Sequence, residues 1–405
     1  MDMTGMTEKL AIEGGAPVRT KPFTQWPIYG ELEEKLLLEV LHSGKWGGSA
    51  RIKLAQFEQQ FAARHEAKHA VTVANGTVAI TIALMAAGVK PGDEVIVPSY
   101  TFIATASSAL LFGAIPVFAD VEEDTLLIDA DCVEALITPK TKAVVAVHMA
   151  GAPANLTRLR DVCGKHGLAL VEDGAQAAGA SWEGRPVGAI GDIGTFSFQQ
   201  SKNINSGEGG IMLTNRDDVA DLAWSLTNVG RVRGGAWYQH EHVGWNLRMT
   251  ELQGAILLGQ MSRLEDQIRV RERNAALLSE MLADVEGVRL LRHDARITNH
   301  AYHLYMFQID RSLAESREGV KSEVLAKLQA EGIPASSGYI PLHRNDALLK
   351  DIEAKTGEAR TFDCPVTLRM CERQIVWLTQ DMLLGDEADV QDVAAAIRKV
   401  MRTVV

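Results

Sequence analysis

Gly194-Thr195-Phe196-Ser197-Phe198-Gln199-Gln200-Ser201-Lys202-Asn203-Ile204-Asn205-Ser206-Gly207-Glu208-Gly209-Gly210 is the stretch from which the rest of the chain can be read. From Ile193 to Phe198, small or polar residues alternate with bulky apolar ones, as in a buried strand, and Gly207, Gly209 and Gly210 then forbid a long helix. A single lysine, Lys202, is delivered into a glycine-rich loop at a strand end. In open α/β sheets, ligands bind beyond the carboxyl ends of the strands, so a lysine there is placed for chemistry. A surface lysine flanked by polar residues has the same local pattern, and the stretch alone does not separate the two.

Upstream, apolar strands are expected at residues 70–74, 94–97, 115–119, 143–148, 168–171 and 211–214, with helical segments between most of them. Together with 193–198 they make seven. This alternation predicts an α/β fold with a mostly parallel seven-stranded sheet covered on both faces. Residues 1–30, rich in Gly and Pro, read as an arm lying on a partner or on the body of the fold. A large domain at 31–265 follows, then a smaller C-terminal α/β domain at 266–405, the boundary falling inside a long helix from Thr250 to about Ala283.

The 41 Lys and Arg against 52 Asp and Glu give a formal charge of -11, which argues against nucleic acid or an anionic membrane as the main partner. Cys132, Cys163, Cys364 and Cys371 form no CxxC pair and lie near no histidine at zinc-finger spacing, so neither metal nor disulfide framework is expected, and a reducing cytoplasm fits. The N-terminus has no apolar core of a signal peptide. The uncharged run Thr101 to Ala119 approaches membrane-spanning length, yet Pro98, Gly113 and Pro116 favour a helix followed by a buried strand.

Several strand ends carry polar groups. Asn75-Gly76-Thr77 opens a helix after a short strand, which suits a phosphate and equally suits a plain N-cap. Asp173 follows a buried strand; it either caps the next helix or meets a charged partner. An aspartate and a lysine on neighbouring strand ends are the two groups that a pyridoxal phosphate enzyme needs, the lysine to bond the cofactor and the acid to keep its pyridine nitrogen protonated. Ser197 adds a neutral phosphate donor, and Phe102 is either a ring-stacking residue or core.

These motifs, with Pro98-Ser99-Tyr100-Thr101-Phe102-Ile103-Ala104-Thr105, Glu172-Asp173-Gly174-Ala175-Gln176 and Gly244-Trp245-Asn246-Leu247-Arg248-Met249-Thr250-Glu251, resemble the DegT/DnrJ/EryC1/StrS family of pyridoxal-phosphate-dependent aminotransferases, of fold type I. The resemblance runs from about residue 10 to near the C-terminus. It implies that Lys202 bonds the cofactor, Asp173 pairs with the ring nitrogen, Gln176 lies near the ring hydroxyl and Phe102 stacks, with pyridoxamine phosphate as the form between half-reactions. It also implies a homodimer with shared sites, Asn246 reaching the neighbouring subunit's phosphate and Arg248 at the substrate entrance. His148, Tyr339 and His343 resemble positions lining the substrate pocket, although a lone histidine is more often structural.

Lys202 favours transamination over sugar dehydration, since some relatives that remove a sugar hydroxyl have histidine there. The Gln199-Gln200 pair, the segment Leu10 to Arg19 and the Asn228 to His240 loop resemble members acting on keto-cyclitols in aminoglycoside biosynthesis and the 3-amino-5-hydroxybenzoate synthases. The expected reaction moves an amino group from glutamine or glutamate to a keto-cyclitol or keto-sugar. The rivals are a dehydratase of the aminohydroxybenzoate type and a non-catalytic cofactor-binding regulator. A Rossmann dehydrogenase is disfavoured by the lack of GxGxxG after any strand. Trp245 departs from the small or tyrosyl residue usual at its position.

Overall fold

The computed structural model describes residues 9–48 and 50–405, so the first eight residues of the expected arm lie outside it. All seven strands expected from the sequence join one sheet: β1 (His69–Val73), β2 (Glu94–Pro98), β3 (Ile115–Ala119), β4 (Thr141–Val147), β5 (Ala169–Asp173), β6 (Ile193–Ser197) and β7 (Gly210–Thr214). Their order is β1-β7-β6-β5-β4-β2-β3. Every pairing is parallel except those of β7, which runs antiparallel to β1 and β6.

Alternation along β6 decides what each neighbour meets. Phe196, with Phe198 just beyond the strand, packs on helix α2 (Lys53–Arg64) through edge contacts to Phe57 and Phe61 at ring centroid distances of 5.1–5.6 Å. Burying each of these rings contributes about 1.5–3 kcal/mol. Ser197 faces the other way, toward helix α3 (Gly76–Ala86), the apolar helix that lies almost wholly inside the core. The membrane-length run resolves into helix α4 (Ala104–Leu110) followed by β3, and no helix among the described residues is long and apolar enough to cross a membrane.

Helix α5 (Glu251–Leu282) spans 32 residues, capped by Thr250 and Gln253 in a capping box. Its buried Glu251 accepts the backbone N–H groups of Ile52, Lys53 and Leu54 at 2.6–3.2 Å, so one carboxylate caps the start of α2 from another helix. Beyond α5, strands β8 (Val288–Leu290), β9 (Leu304–Ile309) and β10 (Ile375–Thr379) form an antiparallel sheet in the order β8-β9-β10. Helices α6 (Val320–Ala330) and α7 (Glu387–Met401) share its apolar core.

The arm lies on the body of its own chain. Leu10 enters the core around β9, and Glu331 accepts the backbone N–H groups of Ala11 and Val18 at 2.8 and 3.0 Å while holding Lys399 at 3.0 Å. Buried Arg19 pairs with Asp389 and Asp392, each at 2.8 Å.

Candidate active site

A cavity of about 1010 Å³ opens beyond the carboxyl ends of β4, β5 and β6, and β10 with its flanking loops closes the opposite wall. Asp173 is the last residue of β5. Its Oδ2 accepts the Thr105 hydroxyl at 2.8 Å and its Oδ1 the Ala175 N–H at 3.2 Å. Burial pushes its pKa above the ordinary carboxylate value, while Thr105, Ala175 and the charge of Lys202 pull the other way.

Lys202 sits in the loop that closes the antiparallel β6–β7 pair. Gln200 N–H donates to the Gly207 carbonyl at 3.0 Å and Phe198 N–H to Gly209 at 2.8 Å, so the loop is pinned on both sides of the lysine. Gln380 Nε2 donates to the Ser201 carbonyl at 3.0 Å, and Trp26 Nε1 to that of Gln200 at 2.9 Å. Burial lowers the lysine's pKa, opposed by attraction to Asp173. An amine so placed is available as a nucleophile and as a base.

The start of α3 forms a cradle. Asn75 caps the helix by accepting the Val78 N–H at 3.0 Å, leaving the N–H groups of Gly76 and Thr77 with no acceptor among the described residues. A Cβ on Gly76 would stand 2.7 Å from Ser197 Cβ, and one on Gly210 would stand 2.7 Å from the Asn75 carbonyl carbon. Glycine is therefore required at both positions by close approach. Free donors, a helix N-terminus and the Ser197 hydroxyl suit a phosphate dianion, and a deeply buried carboxylate on the same cavity suits a protonated ring nitrogen. The residues present thus fit pyridoxal phosphate.

Gln176 commits its Oε1 to the Ala150 N–H at 2.7 Å and donates from Nε2 to the Tyr339 hydroxyl at 2.9 Å. Tyr339 stands edge-on to Trp377, centroids 4.5 Å apart, and Phe102, 54% exposed, forms the neighbouring wall. Gly76, Thr77, Phe102, Asp173, Gln176, Ser197, Lys202 and Tyr339 are all brought to the one cavity.

Two expected pocket residues, His148 and His343, are not, and neither are Asn246 and Arg248, which the resemblance places at sites shared between two subunits. His148 is fully buried; its Nε2 meets Glu172 Oε2 at 3.0 Å and its Nδ1 accepts the Ala154 N–H at 3.1 Å, which turns it away from the cavity. Strand parity is the cause: Val147 pairs with Asp173 in register and shares its face, so the next residue falls on the face of Glu172. His343 is likewise buried, its Nδ1 hydrogen-bonded with the Ser99 hydroxyl at 2.6 Å, so it supports the loop after β2. Asn246 is exposed on a loop bridged to Asn228, and half-buried Arg248 lies near Arg51 and Arg231, both outside this chain's own cavity. Thr105, His303, Trp377 and Asp381 were missed as cavity residues; Thr105 lies within a quoted motif, whereas the others lie in or beside the strands of the second sheet and carry no local signal.

The DegT/DnrJ/EryC1/StrS aminotransferase family model matches residues 27–398. An L-glutamine:2-deoxy-scyllo-inosose aminotransferase of Streptoalloteichus tenebrarius is 38% identical over 423 residues, covering 98% of this chain and 98% of the relative. The 3-amino-5-hydroxybenzoate synthase of Amycolatopsis mediterranei is 35% identical over 378 residues, 93% of this chain and 96% of the relative. The crystal structure of a 3-amino-5-hydroxybenzoic acid synthase superposes with a TM-score of 0.86 at 33% identity, covering 96% of this chain and 100% of that one. With its seven-stranded sheet and the cavity at the sheet's carboxyl edge, the chain belongs to the DegT/DnrJ/EryC1/StrS aminotransferase family, of pyridoxal phosphate fold type I.

Proposed function

We propose that the protein transfers the amino group of glutamine to the carbonyl of a keto-cyclitol, in a route of the kind that builds aminoglycosides. The observation supporting this most directly is that Lys202 and Asp173 face one cavity, in a chain similar nearly end to end to relatives named for that reaction. In this reading Gly76, Thr77 and Ser197 hold the cofactor phosphate, Asp173 the ring nitrogen, Gln176 the ring hydroxyl and Phe102 the ring face. Bound pyridoxal phosphate supplies the electron sink that stabilises charge developing on the donor's α-carbon.

Lys202 Nζ then acts as the base. It takes the α-proton of glutamine, and in the reverse half it returns a proton to the ring carbon that receives the amine, the ketone oxygen leaving as water. Its depressed pKa leaves a larger neutral fraction near pH 7 than an exposed lysine has. The donor carboxylate is assigned to Arg248, whose guanidinium can bind it through two parallel hydrogen bonds. Because Asn246 and Arg248 stand outside their own chain's cavity, they are assigned to the cavity of a second copy, in a homodimer with shared sites.

The test is an assay of the purified enzyme loaded with pyridoxal phosphate, with glutamine and 2-deoxy-scyllo-inosose as substrates and the aminated cyclitol as product. Lys202→Ala must abolish turnover, and an active enzyme that needs no Lys202 would overturn the reading. A second reading, dehydration of the aminohydroxybenzoate type, is favoured by the likeness to the synthases. An aromatic product formed without consumption of glutamine would establish it instead.

A further inference from the structure

One buried side chain outside the groups assigned above opens onto the cavity with an unused lone pair. His303, the residue before β9, is 7% exposed and lines the cavity with Lys202. Its Nδ1 lies 3.0 Å from Asn203 Oδ1. Asn203 cannot reverse that contact, because its Nδ2 donates to the Ala301 carbonyl at 2.6 Å and so fixes which end is oxygen. An amide oxygen only accepts, so Nδ1 carries the proton. Burial, with the positive charges of Lys202 and Arg271, holds the ring pKa well below its ordinary value and keeps the imidazole neutral.

A neutral imidazole protonated at Nδ1 has a bare lone pair at Nε2. That atom meets no donor among the described residues, and unlike the sealed Nε2 of His65 it is reachable from the cavity. Asp381 stands on the same wall, just past β10, with no ion-pair partner among the described residues. Of this chain's described charged residues that line the cavity, Lys202 is the one cation, against Asp173, Glu208 and Asp381, with the buried Arg271 guanidinium behind the wall attracted to Asp381.

We propose that His303 Nε2 and the Asp381 carboxylate form the subsite for the amino acceptor, reading the hydroxyl groups of an uncharged polyol ketone and turning away acceptors that carry a diphosphate. This rests on the keto-cyclitol reading above. Hydroxyl groups supply the hydrogens that both atoms lack. A phosphate or carboxylate offers only lone pairs and negative charge, which the bare Nε2, Asp381 and Glu208 all disfavour. The same argument directs the glutamine carboxylate away from this wall.

Two experiments test it. In cofactor-free protein containing 15N-labelled histidine, with the His303 signals identified by their loss in His303→Phe, the nuclear magnetic resonance spectrum at pH 7 is expected to show a protonated Nδ1 and an unprotonated Nε2. A protonated Nε2, or an imidazolium, overturns the proposal. In the loaded enzyme with the half-reactions measured separately, His303→Phe and the milder Asp381→Asn are each expected to raise KM for the keto-cyclitol by about 10- to 100-fold, with the glutamine half-reaction changed no more than about threefold. Equal losses in both half-reactions would attach His303 to the Lys202 machinery and overturn the subsite, as would an unchanged KM in both variants. Wild-type enzyme that aminates a nucleotide-linked keto-sugar and ignores every free keto-cyclitol would sink the parent reading as well, so the two failures are distinct.

Discussion

The hydroxyl of Thr105, on α4, donates to Oδ2 of Asp173, at the end of β5, across 2.8 Å inside the core. That bond favours the ionised carboxylate against a burial that disfavours it. In Thr105→Val the pKa of Asp173 rises further. Since the reading above needs the ionised form, the acid limb of the kcat/KM profile is expected to move to higher pH. An unmoved limb would detach Asp173 from the titration that controls activity.

Asp173 also exacts a cost in stability. Its pKa is higher in the fold than in the unfolded chain, so its contribution is fully present below the unfolded value and is lost as pH rises through the folded one. In cofactor-free protein at pH 8, Asp173→Asn is expected to raise Tm. Activity of the loaded enzyme should fall by roughly 10²- to 10³-fold, the scale of losing one charge-stabilising group. A lower Tm at pH 8 would contradict the assigned direction.

Gly76→Ala forces a methyl group into Ser197. The cradle must open, and affinity for pyridoxal phosphate, measured by fluorescence titration, is expected to fall about 10- to 100-fold, the effect of misplacing a few phosphate hydrogen bonds. Adding Ser197→Gly removes the obstructing Cβ along with one donor, so the double variant should recover part of that loss. Equal affinities for the single and double variants would refute the steric explanation.

Glu251→Ala leaves three backbone N–H groups at the start of α2 without their acceptor. The expected cost in urea unfolding is about 3 kcal/mol, with Glu251→Gln losing less because its amide oxygen still accepts. A loss below about 1 kcal/mol would mean that water replaces the carboxylate.

Mixing tests the sharing of sites. Asn246→Ala and Lys202→Ala are each expected to be nearly inactive alone, whereas dimers reassembled from equal amounts should recover roughly a quarter of wild-type activity, through the one complete site of each mixed dimer. No recovery would confine each site to a single chain.

Much of the large sheet was legible because its strands are short apolar runs, separated by helices or by a tight loop, and glycines mark the places where backbones approach. Lys202, Asp173 and Gly76 could be found because each follows such a run. His148 follows one too, and was misread because position after a strand does not specify a face; the register of Val147 with Asp173 does, and a single sequence does not print it. His303 was missed for a different reason. It lies just before β9 of the second sheet, and its packing against Asn203, 100 residues earlier in the lysine loop, brings it to the cavity.

The arm places a constraint on how the chain acquires its structure. Arg19 leaves the ribosome well before its partner Asp392, which lies 373 residues further along the chain. Leu10 must likewise wait for α6 and α7, made much later, before it can leave water. Trp26, which braces the lysine loop through the Gln200 carbonyl, belongs to this waiting segment. During synthesis the central sheet can assemble while the arm hangs free, so completion of the cavity wall becomes a late, long-range closure, of the kind that slows folding and leaves apolar surface exposed in the interval.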